Sequence, residues 1–133
     1  MPTLIDTSLW IDFSRARSPR KLKQFIAPFI LDPQANLCEP VVFEVLRHAT
    51  PAEAKLLVQQ FQTLPVLASP ASLWTDATAL GQACRQGGFT AASLDLLIAA
   101  VAVHHAAELV TFDMDFQSIA KVSNLHVKLL LRP

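Results

Sequence analysis

Residues 93–116 read SLDLLIAAVAVHHAAELVTFDMDF. The first half is apolar on every side except at Asp95 and at the histidines near its end, which predicts a helix buried on most of its faces. A strand is predicted at residues 108–111, and Asp113 and Asp115 follow it at the start of a turn and short helix. This segment therefore predicts a buried helix, a strand and acids at the carboxyl end of that strand.

Strands and helices alternate along the rest of the chain. Strands are predicted at residues 4–5, 35–39, 65–68, 108–111 and 126–131, and helices are predicted to start near Thr7–Ser8, Ser18–Pro19, Pro40, Pro51, Ser69–Pro70 and Ser93. This alternation favours right-handed crossovers and a parallel sheet with helices on both faces. We expect a three-layer α/β/α fold with a mostly parallel sheet, in one domain over residues 1–133.

Composition limits the class of protein. The 133 residues are 52% apolar, with 11 basic and 11 acidic side chains. A chain of this size buries roughly two-thirds of its unfolded surface, which excludes a disordered tail. Cys38 and Cys84 lie far apart and form no metal-binding pair, which argues against a secreted disulfide scaffold and a zinc module. No apolar stretch reaches the roughly 20 residues that cross a bilayer, and we expect a cytoplasmic protein.

Several common chemistries lack their motifs. The three glycines form neither a dinucleotide-binding loop nor a Walker A loop, and no Gly-x-Ser-x-Gly elbow occurs. His104 and His105 are neighbours that point about 100° apart on a helix, so they cannot chelate one ion together. We expect them to face the helix C-terminus as basic residues.

Carboxylates are the groups that remain. Asp6, Asp95 and Asp113 are predicted at the carboxyl edge of the sheet or at helix ends facing it, where open α/β sheets bind ligands. Glu44 is the only charge in the apolar stretch 41–46, and it can project to the same edge. Clustered acids repel one another unless a cation neutralises them, and oxygen ligands favour Mg²⁺ or Mn²⁺.

Each acid also has a structural interpretation. Asp6 and Asp115 are suitable helix caps, Asp95 lies in a first turn where the helix dipole favours an acid, and Glu44 can pair with a histidine one turn later. Taken together, these interpretations leave Glu44 and Asp113 unexplained, because both lie in apolar surroundings.

The sequence resembles the PIN-domain family, particularly the VapC-type toxins of bacterial toxin and antitoxin pairs. The resemblance covers the whole chain and is most specific at residues 85–120; the segments that carry it are 4–8 (LIDTS), the helix with Glu44, 95–100 (DLLIAA) and 109–116 (LVTFDMDF). It implies a five-strand parallel sheet and Mg²⁺-dependent cleavage of RNA. It also implies a cognate antitoxin and a homodimer.

The resemblance implies roles for individual residues. Asp6, Glu44, Asp95 and Asp113 would bind the metal, and Asp115 would assist. We assign Asp6, Asp95 and Asp113 as direct ligands, Glu44 as ligand or water orienter, and Asp115 as a second ligand or supporting group; the hydroxyl donors assigned beside them are Thr7, Ser8 and Thr111. The chemistry agrees, because an anionic phosphodiester needs a cation to activate water and to neutralise developing charge.

The basic side chains fit an RNA substrate. Five of the 11 fall within nine residues: Arg15, Arg17, Arg20, Lys21 and Lys23. Removing the five site acids from 11 leaves six, so the rest of the surface carries about +5 for phosphate contacts. The alternative is an ordinary solvated helix face. Trp10, Trp74 and surplus apolar helix positions exceed what one small sheet can cover, which also favours a homodimer.

Two other classes of function are compatible with parts of the pattern. A non-catalytic PIN-like module that binds RNA or serves as a scaffold would have lost one or more acids, and none is missing. A phosphoacceptor or phosphatase would use Asp113 and Asp115, but such a pair normally follows the first strand, and a suitable lysine near the sheet edge is lacking.

Overall fold

A five-strand parallel sheet forms the middle layer of the fold in a computed structural model that describes residues 1–133. The strands are β1 (Thr3–Ile5), β2 (Ala35–Cys38), β3 (Val66–Leu67), β4 (Glu108–Thr111) and β5 (His126–Leu129). Their order across the sheet is β3, β2, β1, β4, β5, and all neighbours are parallel. The predicted three-layer α/β/α class is confirmed.

Seven helices accompany the sheet: α1 (Thr7–Ser14), α2 (Arg20–Ile30), α3 (Glu39–His48), α4 (Pro51–Phe61), α5 (Leu73–Gln86), α6 (Ser93–His104) and α7 (Asp115–Ala120). As predicted, α6 is buried along its middle, at residues 98–102. It packs closely on α5, where a Cβ added to Gly81 would lie 3.0 Å from Cδ1 of Leu96. None of the seven is both long enough and apolar enough to cross a membrane.

The strand register sets the position of the site. Leu4 lies opposite Leu109 and Ile5 opposite Val110, so the next residues, Asp6 and Thr111, emerge side by side at the carboxyl edge. From β1 the chain builds one half of the sheet through β2 and β3, and the other half through β4 and β5. The junction between these two halves, at β1 and β4, is a switch point of the sheet. In open α/β sheets, ligands bind at switch points because the loops on either side leave the carboxyl edge in opposite directions.

Trp10 belongs to the core. It is fully buried, and its ring packs edge to face on Phe61 with centroids 4.9 Å apart. The interpretation of Trp10 as a surplus apolar residue was therefore wrong, because α1 turns this side chain inward, against α4. Trp74 on α5 is 72% exposed.

Some predicted boundaries differ from the observed ones. The fifth helix begins at Leu73 rather than at Ser69–Pro70, because the Pro70 carbonyl accepts the Leu73 N–H in a turn that precedes it. Ser93 is the first residue of α6 and provides no side-chain cap.

Candidate metal centre

Asp6 connects β1 to α1. It caps α1 with an extended backbone (ψ 156°) and is almost fully buried. Its Oδ2 accepts hydrogen bonds from the Thr111 hydroxyl (2.7 Å), the Ser8 hydroxyl (2.8 Å) and the Ser8 N–H (3.3 Å). All three of these hydrogen bonds reach the same carboxylate oxygen.

The two hydroxyl groups are themselves oriented by backbone donors. The Asp113 N–H donates to Thr111 Oγ1 at 2.9 Å, and the Phe112 N–H donates to Ser8 Oγ at 3.1 Å. Each hydroxyl therefore accepts from the β4–α7 turn and donates to Asp6, which agrees with the predicted donor roles of Ser8 and Thr111. Thr7, the third predicted donor, has an Oγ1 that is buried and makes no hydrogen bond in this structure.

Three acids from separate elements meet beside Asp6. Asp95 lies in the first turn of α6, Asp113 lies in the turn after β4, and Asp115 begins α7. Each offers a carboxylate oxygen, and these atoms all lie within 4.8 Å of one another. The Asp115 N–H donates to Asp113 Oδ1 at 2.9 Å and fixes the turn between them.

The electrostatics link this trio to the other two acids. Burial first, and then the charges of Asp113, Asp6, Glu44 and Asp115, raise the pKa of Asp95 to about 7. Burial also raises the pKa of Asp6, against the lowering effect of its hydrogen bonds. Asp6 and Glu44 lie outside the closest group, but their charges act on Asp95. The other four predicted acids thus all raise the pKa of Asp95.

No basic side chain neutralises these five acids. The only ion pair in the structure joins Arg132 to Asp12. Carboxylate oxygens without a basic counterion fit a hard divalent cation, which takes oxygen ligands. The residues that could hold such an ion together are Asp95, Asp113 and Asp115, whose carboxylate oxygens lie within 4.8 Å of one another.

A groove of about 560 Å³ lies between α3, α5 and α6. Leu94 in its wall precedes Asp95, and Phe43 precedes Glu44. Phe43 and Trp74 are 58% and 72% exposed and line the same groove. Trp74 was predicted from the sequence to be a surplus apolar residue, whereas Phe43 was not singled out.

The basic segment from Arg15 to Lys23 and the single residue Arg132 have different environments. Arg15, Arg17, Arg20 and Lys21 are exposed and Lys23 is half-buried, where α1 passes to α2. Arg132, which sequence analysis missed, donates from Nε to Asp12 Oδ2 at 2.8 Å, and its Cζ lies 4.5 Å from the centre of the Phe112 ring. Nothing in the sequence distinguishes this arginine, because both partners are distant along the chain.

Comparisons with known proteins agree with this geometry. The PIN domain family model matches residues 3–122. The chain is 33% identical over 129 residues to VapC ribonuclease Mb1587 of Mycobacterium bovis and to ribonuclease VapC11 of Mycobacterium tuberculosis, with 92% of this chain and 94% of each relative covered.

Solved structures share the fold at lower identity. VapBC2 from Rickettsia felis, bound to a promoter DNA fragment, gives a TM-score of 0.77 at 18% identity, with 98% of this chain and 99% of that chain covered. VapC20 of Mycobacterium tuberculosis is described as a sarcin-ricin loop cleaving toxin. It gives a TM-score of 0.67 at 17% identity, with 98% of this chain and 99% of that chain covered. Because the family model spans most of the sequence and the VapC relatives cover nearly all of it, this chain belongs to the PIN domain family, in its VapC-type branch.

Proposed function

We propose that this protein is a divalent-metal-dependent endoribonuclease and the toxin of a type II toxin-antitoxin pair. The observation that carries the proposal is the meeting of Asp95, Asp113 and Asp115 within 4.8 Å, without a basic counterion. Two relatives at 33% identity are named ribonucleases, which supports the reaction class. Solved structures of similar fold include VapBC toxin-antitoxin complexes, which supports the biological role.

The cofactor proposed is Mg²⁺ or Mn²⁺. Asp6, Asp95 and Asp113 are its direct ligands in this proposal, and Asp115 is a further ligand or supports one. Glu44 is either a ligand or the group that orients the attacking water. When bound, the cation would lower the pKa of that water and neutralise charge on the phosphoryl oxygens.

The chain's own residues preorganise the centre. The hydroxyl groups of Ser8 and Thr111 hold Oδ2 of Asp6 and thereby fix the direction of Oδ1. The β4–α7 turn orients both hydroxyls and also supplies Asp113 and Asp115. Carboxylates held close together bind a cation without waiting for a rearrangement, which raises affinity and fixes the geometry.

RNA is the proposed substrate. The basic segment from Arg15 to Lys23 makes no ion pair with any acid, so its charges are free for phosphates. Contacts between basic side chains and the phosphates of a nucleic acid provide affinity without sequence preference.

The proposed partner is a small antitoxin encoded beside this protein. An extended segment of that partner would cross the acidic cleft, and an arginine on it would pair with Asp6, Asp95 or Asp113 in place of the metal. Inhibition would then compete with metal binding. The thiols of Cys38 and Cys84 are buried and unpaired, which fits action in a reducing cytoplasm.

A homodimer is also proposed. Phe43 and Trp74 are large, exposed and adjacent to one groove, and exposed apolar patches of this kind typically mark interfaces.

The decisive experiment compares Asp95→Asn with Asp32→Asn. Asparagine keeps the side-chain shape and removes the charge of a proposed ligand. Asp32 is an exposed aspartate that precedes β2, at the opposite edge of the sheet. With purified protein free of any partner, we expect Asp95→Asn to cut RNA at least about 100-fold more slowly. Asp32→Asn should cut RNA at the wild-type rate. EDTA should stop cleavage by wild type and by Asp32→Asn.

The opposite result would assign the chain a different role. If Asp95→Asn cleaves RNA at the wild-type rate, the activity belongs to another site or to a contaminant. The non-catalytic RNA-binding or scaffold role would then be the better explanation.

A further inference from the structure

The chain after β5 stays attached to the metal centre. The Leu130 N–H donates to the Thr111 carbonyl at 2.8 Å, which extends pairing with β4 one residue beyond the strand. Two residues later, Arg132 donates from Nε to Asp12 Oδ2 at 2.8 Å on α1. Its Cζ lies 4.5 Å from the centre of the Phe112 ring in the β4–α7 turn. One side chain therefore contacts both elements that enclose Asp6.

These are the elements whose contact orients the acids. Ser8 and Asp12 are one helical turn apart and so lie on the same face of α1. Ser8 accepts the Phe112 N–H at 3.1 Å, and Asp12 accepts from Arg132, which covers the Phe112 ring. The α1 face thus holds the β4–α7 turn at two successive points. Asp6 stands at the beginning of that face, and Asp113 is the next residue of the turn.

The acids on the two sides of the contact between α1 and the β4–α7 turn repel one another. Asp6 belongs to α1, whereas Asp113 and Asp115 belong to the β4–α7 turn and to α7, and no basic side chain pairs with any of them. Without a cation, their like charges favour separation of α1 from the turn. Arg132 and Asp12 are of opposite sign and join the same two elements from outside the acid cluster.

We propose that Arg132 is a positioning residue of the metal centre, which holds the β4–α7 turn against α1 through Asp12 and Phe112. The inference rests on the proposed function, because it concerns the affinity of the acids for a divalent cation. Arg132 contacts none of the five acids in this role. Its guanidinium is the useful group because it can donate to a carboxylate while its plane lies on an aromatic ring.

The test measures Mn²⁺ binding by calorimetry on partner-free protein, with amide hydrogen exchange at Phe112 as a second measurement. We expect Arg132→Ala to weaken Mn²⁺ binding about tenfold, as removal of a supporting residue commonly does, and to speed exchange at Phe112. Asp12→Asn should have the same effect. The double variant with Arg132→Ala and Asp12→Asn should lose no more Mn²⁺ affinity than either single variant. Arg132→Lys should restore part of the affinity through the ion pair.

Lys128→Ala is the matched control. Lys128 also places a cation over a phenylalanine, with Nζ 5.3 Å from the centre of the Phe29 ring, but that ring belongs to α2. This variant should bind Mn²⁺ like wild type. An equal loss in both variants would overturn the proposal, because it would indicate a general effect of positive charge.

Other outcomes separate this inference from the proposed function. If wild type binds Mn²⁺ and Arg132→Ala binds it equally well, only the inference is overturned; a rise in KM for RNA in that variant would instead indicate contact with the substrate. If wild type binds no Mn²⁺, the metal-dependent function and this inference both fall. Should Arg132→Ala not fold, Asp12→Asn and Arg132→Lys still decide the question.

Discussion

At the scale of single residues, Asp95 is the acid on which both burial and the charges of the other acids act. It lies in the first turn of a buried helix, and four other acids raise its pKa together with burial. A neutral side chain would suit the folded chain better there when no metal is bound. Under the proposed function, this unfavourable charge is the group that would bind a divalent cation, at the expense of the stability of the metal-free protein.

This cost predicts how stability depends on pH. The pKa of Asp95 rises from 3.8 to about 7 on folding, so the folded state binds more protons across that interval. The stability of the metal-free protein should therefore fall as pH rises from about 4 to about 7. Asp95→Asn cannot ionise, and at about pH 8 in EDTA we expect it to melt a few degrees above wild type. Thermal scans across this pH range measure the difference.

Added Mg²⁺ should raise the melting temperature of wild type and leave that of Asp95→Asn almost unchanged, because only the intact acid set binds the ion tightly. Asp32→Asn, the exposed control, should follow wild type at every pH. A variant Asp95→Asn that is less stable than wild type in EDTA at about pH 8 would contradict this account.

At the scale of elements, local chemistry explains which predictions succeeded. The alternation of apolar strands with helices, and the all-round apolar character of α6, were visible in the sequence because both are properties of neighbouring residues. The start of α5 was misplaced because a Ser-Pro pair suits a turn as well as a helix start, and here it forms the turn. The buried hydroxyl of Thr7 and the ion pair of Arg132 with Asp12 depend on packing between distant segments, which one sequence does not reveal.

The start of α4 allows a test that separates stability from the site. The Thr50 hydroxyl accepts the Glu53 N–H, and the Glu53 carboxylate accepts the Thr50 N–H, a reciprocal cap. Thr50→Ala should lower the free energy of unfolding by about 1 kcal/mol. The rise in melting temperature caused by Mg²⁺ should stay the same, because no proposed ligand lies on α4. Urea unfolding with and without Mg²⁺ measures both quantities.

Thr63→Ala is the control for that experiment. Thr63 lies just after α4 and donates to the Gln60 carbonyl at 2.7 Å, in an exposed position that caps no helix N-terminus. Its loss should change stability by less than about 0.5 kcal/mol. If Thr50→Ala instead abolishes the response to Mg²⁺, α4 is coupled to the acid cluster in a way that the contacts do not explain.

At the scale of the whole molecule, the parallel sheet made the convergence of acids predictable. Carboxyl ends of parallel strands meet at one edge, so acids after β1 and β4 had to lie near each other if those strands were neighbours. The strand order itself could not be predicted from the sequence, and neither could the groove beside Phe43. Residues of α3, α5 and α6 line that groove, and only the packed structure brings them together.

The last prediction concerns the surface beside this groove. Trp74 and Phe43 are 72% and 58% exposed and line one cavity, so a second copy of the chain would shield both from water. We expect wild type to sediment as a dimer at tens of micromolar and Trp74→Asp as a monomer, because a carboxylate at the interface would be buried without a partner. Leu56→Asp, at an equally exposed leucine of α4 (68%), should remain a dimer. Trp10 is fully buried, so tryptophan fluorescence that changes on dilution would report on Trp74. A wild type that sediments as a monomer at these concentrations would refute the homodimer and leave the groove free for another partner.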